Sequence, residues 1–318
     1  MYPEGEHDNI IRAARRVRDA GLAFPTLLGQ ERVISERAAS LGVSLDGINI
    51  ISPTDSSDLE EYAQSYFELR CRKGMTPGKA LRELRRSYTS FAMMMLKRGS
   101  ADGVVAGARQ DYPATIRPAL RIIGTRPDVR KACGMYMVAT KQDVHFLADT
   151  TINIDPDART LAEIARLTAE RVAEFGITPK IAMLSFSNFG DAPHPASQKV
   201  AEATRILQEN DPQMIVDGEM QANVALDPKD RASYPFSRLK DPANVLIFPN
   251  LDAGNAAYKL LSGTGGAEVG GPILLGMNQP VSVLQQHASV DTIVHMTAIT
   301  VAQAGRERIT VPPPETTY

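Results

Sequence analysis

The sequence predicts an α/β fold of two lobes, with parallel or mixed sheets and a cleft between the lobes. Short apolar runs alternate with helix-period patterns along the first half, an order typical of parallel strands joined by crossover helices. One run, Val245–Phe248, has no polar face and therefore suits a strand buried on both sides of a parallel sheet. The alternation starts again near Arg130, which indicates a second sheet.

The first half of the chain carries clear helix and strand signals. Asp8 is predicted to cap a helix that ends at Gly21, because apolar residues recur at helical spacing between them. Thr76 and Pro77 form a helix start, and the pattern after them predicts one helix to Gly99 with three methionines as core filler. The other predicted elements are strand Phe24–Leu28, helix Glu31–Leu41, strand Ile48–Ile51, a helix from Asp58 to about Arg72, strand Asp102–Gly107 and helix Ala114–Ile123.

The second half shows the same kind of signals. Thr160 is predicted to cap helix Leu161–Phe175, and Ser289 to cap the last long helix, which completes the first lobe. Ser262–Gly266 follows a helix and is predicted to be a loop, and Pro312–Pro314 to be part of an extended tail. The predicted strands are Ala132–Ala139, Val144–Leu147, Ile181–Ser185, Met214–Val216, Val245–Phe248 and Pro272–Leu275.

Composition is that of an ordinary globular protein. The 318 residues carry a formal charge of −2 without a basic block, which argues against nucleic acid as the main partner. No apolar run reaches the roughly 18 residues of a membrane-spanning helix, so no membrane contact is expected. Cys71 and Cys133 have neither metal nor redox spacing, so we expect free thiols in a reducing cytoplasm.

Three loops are predicted to face a ligand, because ligands of open α/β sheets bind outside the carboxyl ends of the strands. They are Gly107–Tyr112, Asn250–Asn255 and Met183–Pro195. The last is polar and serine-bearing, and its hydroxyls and amides can bind phosphate. His194 lies between two prolines in that loop and is interpreted as a turn residue, not as a base.

Several motifs resemble the phosphate acetyltransferase family. They are F-P-N-L-D-A-G-N-A-A-Y-K at Phe248–Lys259, G-P-I-L-L-G-M-N-Q-P-V at Gly271–Val281, A-D-G-V-V-A-G-A at Ala101–Ala108 and T-I-R-P-A-L at Thr115–Leu120. The resemblance covers nearly the whole chain and implies the two-lobed fold shared with the isocitrate dehydrogenase group. It places one lobe at about residues 1–129 and 280–318, and a second, dimerising lobe at about 130–279. It also implies a turn at Asp217–Gln221.

One motif departs from the family. Working members carry Asn-Asp-Leu-Ser-Arg-Gly where this sequence has Ser282–His287, and an aspartate where it has Thr292. Gln285, Gln286 and Thr292 therefore occupy degenerate positions, and no catalytic residue is predicted. The pattern resembles the C-terminal, transacetylase-like domain of the large bacterial malic enzymes.

Six residues are predicted to bind a ligand. Arg70 and Arg117 match arginines of the family's active site, with pairing to a surface carboxylate as the alternative for each. Arg109 and Tyr112 resemble the malic-enzyme branch. Asn250 and Asn255 belong to the loop after the apolar strand.

The malic-enzyme resemblance implies a regulatory function. The domain would bind acetyl-CoA, or a related CoA ester, as an allosteric effector of the oxidative decarboxylation of malate to pyruvate with NADP. NADP and a divalent metal are expected only in a malic enzyme catalytic portion. Because the P-E-G-E turn of the family starts at Pro3, we expect that portion to precede this region in a longer polypeptide. A homodimer, and a higher oligomer of the intact chain, are also implied.

Two alternatives stay open, so whether this region is itself an enzyme is undecided. One is an active phosphate acetyltransferase that moves acetyl between CoA and phosphate, with Arg70 and Arg117 holding phosphate. Neutral amides at Gln285 and Gln286 and the Thr292 hydroxyl argue against it, because a general base is worth about 10²–10⁴ in rate. The other is a structural domain that only supports assembly.

Overall fold

The computed structural model describes residues 1–140, 143–264 and 266–310, so Gly265 and the predicted proline-rich tail lie outside the described residues. The chain forms two compact units. The first comprises Met1–Gly124 and the segment from Met277 onward, and the second comprises Thr125–Gly276. Both boundaries fall at a glycine in the left-handed region, with φ 74° at Gly124 and 77° at Gly276. These boundaries differ by a few residues from those of the predicted lobes, 1–129 with 280–318 and 130–279.

The first unit begins with alternating strands and helices. In chain order these are α1 (Asp8–Asp19), β1 (Thr26–Leu28), α2 (Glu31–Leu41), β2 (Asn49–Ile51), α3 (Leu59–Arg70), α4 (Pro77–Arg86), α5 (Tyr88–Lys97), β3 (Val104–Ala106) and α6 (Tyr112–Pro118). A 3₁₀ turn at Cys71–Lys73 follows α3, and a π-helical turn at Ala119–Ile123 follows α6.

The second unit contains a mixed sheet. Its elements are β4 (Cys133–Ala139), β5 (Val144–Ala148), α7 (Ala158–Glu174), β6 (Ile181–Leu184), α8 (Pro195–Asn210), β7 (Val216–Met220), α9 (Ala222–Leu226), α10 (Pro228–Arg231), β8 (Val245–Ile247), α11 (Leu251–Thr264) and β9 (Glu268–Leu275). Its strands are ordered β9-β4-β5-β8-β6-β7. β4 is antiparallel to β9 and β5, and the other neighbours are parallel. Inside the unit, the Tyr136 and Tyr258 rings stack with centroids 4.0 Å apart.

The chain returns to the first unit with β10 (Val281–Val283) and α12 (Val290–Thr310). β10 pairs in parallel with β3, and β1 pairs in parallel with β2. The backbone of the first two residues joins these pairs, since Tyr2 N donates to Thr26 O at 2.9 Å and Val105 N donates to Met1 O at 3.0 Å. The chain segments after Tyr2, β1, β3 and β10 therefore leave the same edge of the sheet.

The single helix predicted from Thr76 to Gly99 is two helices. Thr76 caps α4 as predicted. Ser87 then adopts an extended conformation, with φ −113° and ψ 97°, and its hydroxyl caps α5 by accepting from Ser90 N at 3.1 Å. The turn lets α5 bury almost all of its side chains, including the three methionines predicted to fill the core.

Replacing Ser87 with alanine is expected to lower the free energy of unfolding by about 1 kcal/mol, because it removes the acceptor that caps α5. Urea denaturation measures the change. The control is Ser40→Ala on the exposed side of α2, which should change it by less than about 0.5 kcal/mol. Equal effects of the two substitutions would show that the cap contributes nothing specific.

Two predicted caps are wrong by one to three residues. α1 is capped by His7, whose Nδ1 accepts from Asn9 N at 3.2 Å, so Asp8 is already the first helical residue. α7 is capped by Asp157, whose carboxylate accepts from Thr160 N at 2.7 Å. In both cases a side chain upstream of the predicted cap accepts a hydrogen bond from a free backbone N–H group in the first turn of the helix.

Three polar segments were also misinterpreted. α8 was not predicted, although His194 and Pro195 are its N-cap and first residue. Asp217–Met220 belongs to strand β7 and is not a turn, because tertiary partners satisfy its buried carboxylates. Ser262–Thr264 continues α11. No helix in the described part of the chain is long and apolar enough to cross a membrane.

Candidate functional site

The parallel pair β3 and β10 brings two predicted loops side by side. Their pairing continues past the strands, since Leu284 N donates to Ala106 O at 2.7 Å and His287 N donates to Ala108 O at 3.3 Å. The loop with the degenerate positions therefore lies against the loop that carries Arg109. Both loops are at the carboxyl edge of the sheet, where ligands of such sheets bind.

Gly107 permits this close approach. Its φ of 119° is a conformation that residues with a side chain rarely adopt. A Cβ built on Gly107 would lie 2.6 Å from the carbonyl oxygen of Leu284. Because that neighbour is backbone, only glycine fits between the two loops.

Glu4 holds the same loop with a buried carboxylate. The residue is 8% exposed, and both of its carboxylate oxygens lie 3.0 Å from Gly107 N. Burial raises the pKa of Glu4, whereas the N–H groups of Gly107, Arg109 and Ala108 and the charge of Arg109 act in the opposite direction. The P-E-G-E turn thus positions the loop after β3.

A cavity of about 340 Å³ opens beside the loop after β3, and we call it the Arg109 pocket. Its polar lining consists of Glu4, Glu6, Arg86, Tyr88, Arg109 and Gln110. Glu6 accepts a hydrogen bond from Gln30 N at 3.1 Å. Within the described residues, neither Arg86 nor Arg109 forms an ion pair, so both guanidinium groups can receive an anionic ligand.

A second cavity of about 340 Å³ is more basic, and we call it the Arg70 pocket. Its cations are Arg70, Lys73, Lys79, Arg82 and Arg121. Its acid, Glu83, already accepts hydrogen bonds from Tyr66 at 2.9 Å and from Ser90 at 3.3 Å. Burial and the bond to Glu83 raise the pKa of Tyr66 to about 12, so its hydroxyl stays a donor. In the part of the chain that the structure describes, none of the five cations forms an ion pair, and a cluster of this kind suits phosphate groups.

The structure distributes the predicted ligand-binding residues of the first unit over separate places. Arg70 and Arg109 line different pockets. Arg117 is exposed on α6 and lines neither, and Tyr112 is the half-buried first residue of that helix. Among the described residues, no carboxylate pairs with Arg70 or Arg117, so the alternative interpretation of these two as surface ion pairs finds no partner.

Of the degenerate positions, Gln285 and Gln286 lie just after β10 and Thr292 lies in the first turn of α12. Gln285 and Gln286 are exposed. Ser289 caps α12 as predicted, because its hydroxyl accepts from Thr292 N at 3.1 Å and lies 2.9 Å from the Thr292 hydroxyl. His287, between Gln286 and Ser289, adopts a φ of 61° in the left-handed region, which is uncommon for a residue with a side chain.

The two predicted asparagines belong to the second unit. The Asn250 side-chain oxygen accepts from Ala253 N at 3.0 Å and starts α11. The Asn255 amide donates to Thr150 O at 3.3 Å. Both side chains therefore stabilise local structure, and their contact with a ligand stays a prediction.

In the predicted phosphate-binding loop of the second unit, polar side chains form hydrogen bonds with other residues of the unit. The Ser187 hydroxyl is buried, 2.8 Å from Asp191 and 3.0 Å from Glu219. His194 accepts from Ala196 N at 3.1 Å and is the N-cap of α8, a helix start in place of the predicted turn. The Ser187 hydroxyl thus holds the loop and is not available to phosphate.

Sequence reasoning missed most of the residues that line the two pockets. Arg82 and Arg86 are four residues apart on α4, a spacing that places both on one face of a helix. One lines the Arg70 pocket and the other the Arg109 pocket. That spacing was the only sequence feature that could have indicated these two residues as ligand-binding. Exposed arginines on a helix usually contact only solvent, so it was not interpreted in this way.

Comparisons with known proteins agree on one family. A family model described as Phosphate acetyl/butaryl transferase matches residues 1–301. The phosphate acetyltransferase of Bacillus subtilis is 36% identical over 305 residues, which cover 96% of this chain and 94% of that protein. The NADP-dependent malic enzyme of Escherichia coli is 37% identical over 310 residues, which cover 96% of this chain and 41% of the malic enzyme. The chain therefore resembles part of that enzyme and nearly all of the transferase.

Structural similarity points the same way. The crystal structure of a phosphotransacetylase from Streptococcus pyogenes matches with a TM-score of 0.91 at 38% identity, over 96% of this chain and 93% of that chain. The predicted α/β fold with a mixed sheet is thus confirmed.

Proposed function

Because the chain belongs to the Phosphate acetyl/butaryl transferase family, we propose that it transfers an acetyl group between coenzyme A and phosphate. The CoA sulfur bonds to the acetyl carbonyl carbon, the bond from that carbon to the phosphate oxygen breaks, and the thiol proton passes to a base. Similarity to transferases over nearly the full length of both chains supports this reaction over the regulatory function that the degenerate loop suggests.

The Arg70 pocket is the feature that most supports this function. Coenzyme A carries a 3′-phosphate and a diphosphate, and five cations without an ion pair among the described residues converge on one cavity. The whole protein has a net charge of −2, so this local excess of positive charge does not follow from the overall composition. Arg70 itself lies at the end of α3, and Arg121 lies on the π-helical turn after α6.

His287 is the base that we assign to the reaction. A neutral imidazole can accept the thiol proton, which the amides of Gln285 and Gln286 and the hydroxyl of Thr292 cannot do. Left-handed backbone at a residue other than glycine costs about 1–2 kcal/mol and is concentrated at functional sites. His287 also lies close enough to His7 for the two rings to interact electrostatically.

A regulatory function is the second candidate, because Gln285, Gln286 and Thr292 replace the reactive side chains expected in working members. The similarity to part of a malic enzyme favours it as well. In this case the domain binds acetyl-CoA without turnover, and the effector acts on an NADP-linked catalytic portion. A homodimer is compatible with both candidates and stays a prediction.

We expect the purified chain to form acetyl-CoA from acetyl phosphate and CoA, and Arg70→Gln to raise the KM for CoA about tenfold or more. The reason is the loss of a charge-assisted contact to phosphate. Thioester absorbance follows the reaction. The matched control is Arg72→Gln, an exposed arginine two residues away that lines neither pocket and should leave the KM unchanged.

Other outcomes separate the candidates. If the chain shows no turnover but saturating acetyl-CoA raises its thermal stability, the transfer reaction is contradicted and the regulatory function is supported. A ligand at about 100 times its Kd should add about 2.7 kcal/mol to the free energy of unfolding. If neither turnover nor stabilisation is observed, a role in assembly alone is supported.

A further inference from the structure

The Arg109 pocket provides positive charge on the loop next to the one in which the sequence has lost it. Gln286 stands where the motif of working members has an arginine. We propose that Arg86 and Arg109 together bind a phosphate group in this pocket, and that Arg109 supplies the charge missing at Gln286. The identity of the ligand, orthophosphate or an acyl phosphate, rests on the proposed function.

The two loops lie close enough together for Arg109 to take the role of the arginine that is missing at Gln286. The loops after β3 and β10 run side by side, held by the bond from His287 N to Ala108 O at 3.3 Å. Arg109 directly follows Ala108 and Gln286 directly precedes His287, so the two positions lie on adjacent loops. Arg86 approaches from the end of α4, so the two guanidinium groups come from different elements.

Among the described residues, the two carboxylates in the pocket form no ion pair with these arginines, although the charges of Glu4 and Arg109 interact. Glu4 directs both oxygens to Gly107 N at 3.0 Å, and Glu6 accepts from Gln30 N at 3.1 Å. No salt bridge within 4.0 Å joins either of them to Arg86 or Arg109 in the described structure. The acids thus shape the backbone around the cavity, while the guanidinium groups stay available for a ligand.

The cavity also has a suitable size and polarity. Its volume of about 340 Å³ falls at the lower end of the range for small-molecule sites, about 300–1,000 Å³. Tyr88 and Gln110 add a hydroxyl and an amide to its lining, and both can donate to phosphate oxygens. The pocket therefore suits a phosphate that carries a small acyl group better than a large ligand.

Titration with orthophosphate tests the site without any need for turnover. Because the Arg70 pocket also binds anions in our proposal, the titration uses a background variant with Arg70→Gln and Arg82→Gln. Calorimetry should show one remaining phosphate site. Adding Arg109→Gln or Arg86→Gln should weaken it about tenfold or more. Arg85→Gln, the exposed neighbour of Arg86 on α4, is the control and should leave the affinity unchanged.

A rescue experiment tests the exchange of the cations. In the background variant with Arg109→Gln, adding Gln286→Arg should restore phosphate affinity to within about threefold, because the adjacent loop then provides the guanidinium group. No phosphate binding in the background variant, or no loss with Arg109→Gln, would overturn the site. Failure of the rescue would overturn the exchange. Phosphate binding without acetyl-CoA formation would contradict the proposed function and leave this site standing.

Discussion

His287→Asn is expected to lower the kcat of acetyl transfer by about 10²–10⁴-fold, the usual contribution of a general base, with little change in CoA affinity. Asparagine cannot accept the thiol proton at neutral pH, but it tolerates the left-handed conformation of this position, with φ 61°. The substitution therefore removes the base and keeps the loop. Steady-state kinetics at saturating substrates measure the effect.

His295→Asn is the matched control for this experiment. His295 is exposed on α12, in the same segment of the chain but not in the loop after β10, so its replacement should leave kcat unchanged. If His287→Asn also keeps kcat within about threefold, the proton passes to another group and the assignment of His287 is wrong. Equal thermal stability of the variant and the unaltered chain confirms that the loop has not collapsed.

The architecture was predictable because it depends on patterns of apolar residues that are visible within short stretches of the sequence. The apolar run at Val245–Phe248 contains the buried strand β8, and the predicted helix at Glu31–Leu41 is α2 without any change of bounds. Such patterns reflect burial of whole faces, and no single contact decides them. The family was predicted from the resemblance of the motifs, and the family model that matches residues 1–301 confirms it.

Local polar contacts account for the elements that were predicted wrongly. At Ser87 a single hydroxyl ends one helix and starts the next, although the apolar spacing continues through it. At Asp217 the family resemblance implies a turn, but the Ser237 hydroxyl at 2.9 Å and Arg238 N at 2.7 Å satisfy the carboxylate inside a strand. Partners far along the chain decide such positions, and a sequence window does not contain them.

The site was less predictable than the fold for the same reason. Loop residue Arg109 was identified because it follows a buried strand, a rule that depends on position alone. Arg82, Arg86 and Arg121 were not identified, since each looks like an exposed helical arginine. Their convergence on two cavities follows from how α4 and the turn after α6 pack in the first unit.

Gly107→Ala is expected to have the largest effect on both stability and the site. The new Cβ would lie 2.6 Å from Leu284 O, and alanine would have to adopt a φ of 119°. Strained backbone costs about 1–3 kcal/mol and overpacking about 1–3 kcal/mol, so we expect a loss of about 3 kcal/mol or more in the free energy of unfolding. Urea denaturation measures it.

Gly42→Ala separates the two causes of this loss. Gly42 ends α2 with a φ of 66° and has open space where a Cβ would be, so alanine there pays only for the left-handed backbone, about 1–2 kcal/mol. Similar losses at both glycines would contradict the close contact between the loops. The larger loss expected at Gly107 should come with weaker orthophosphate binding, because Gly107 N also holds Glu4 at 3.0 Å. One residue without a side chain thus joins the N-terminal turn, the Arg109 loop and the loop after β10.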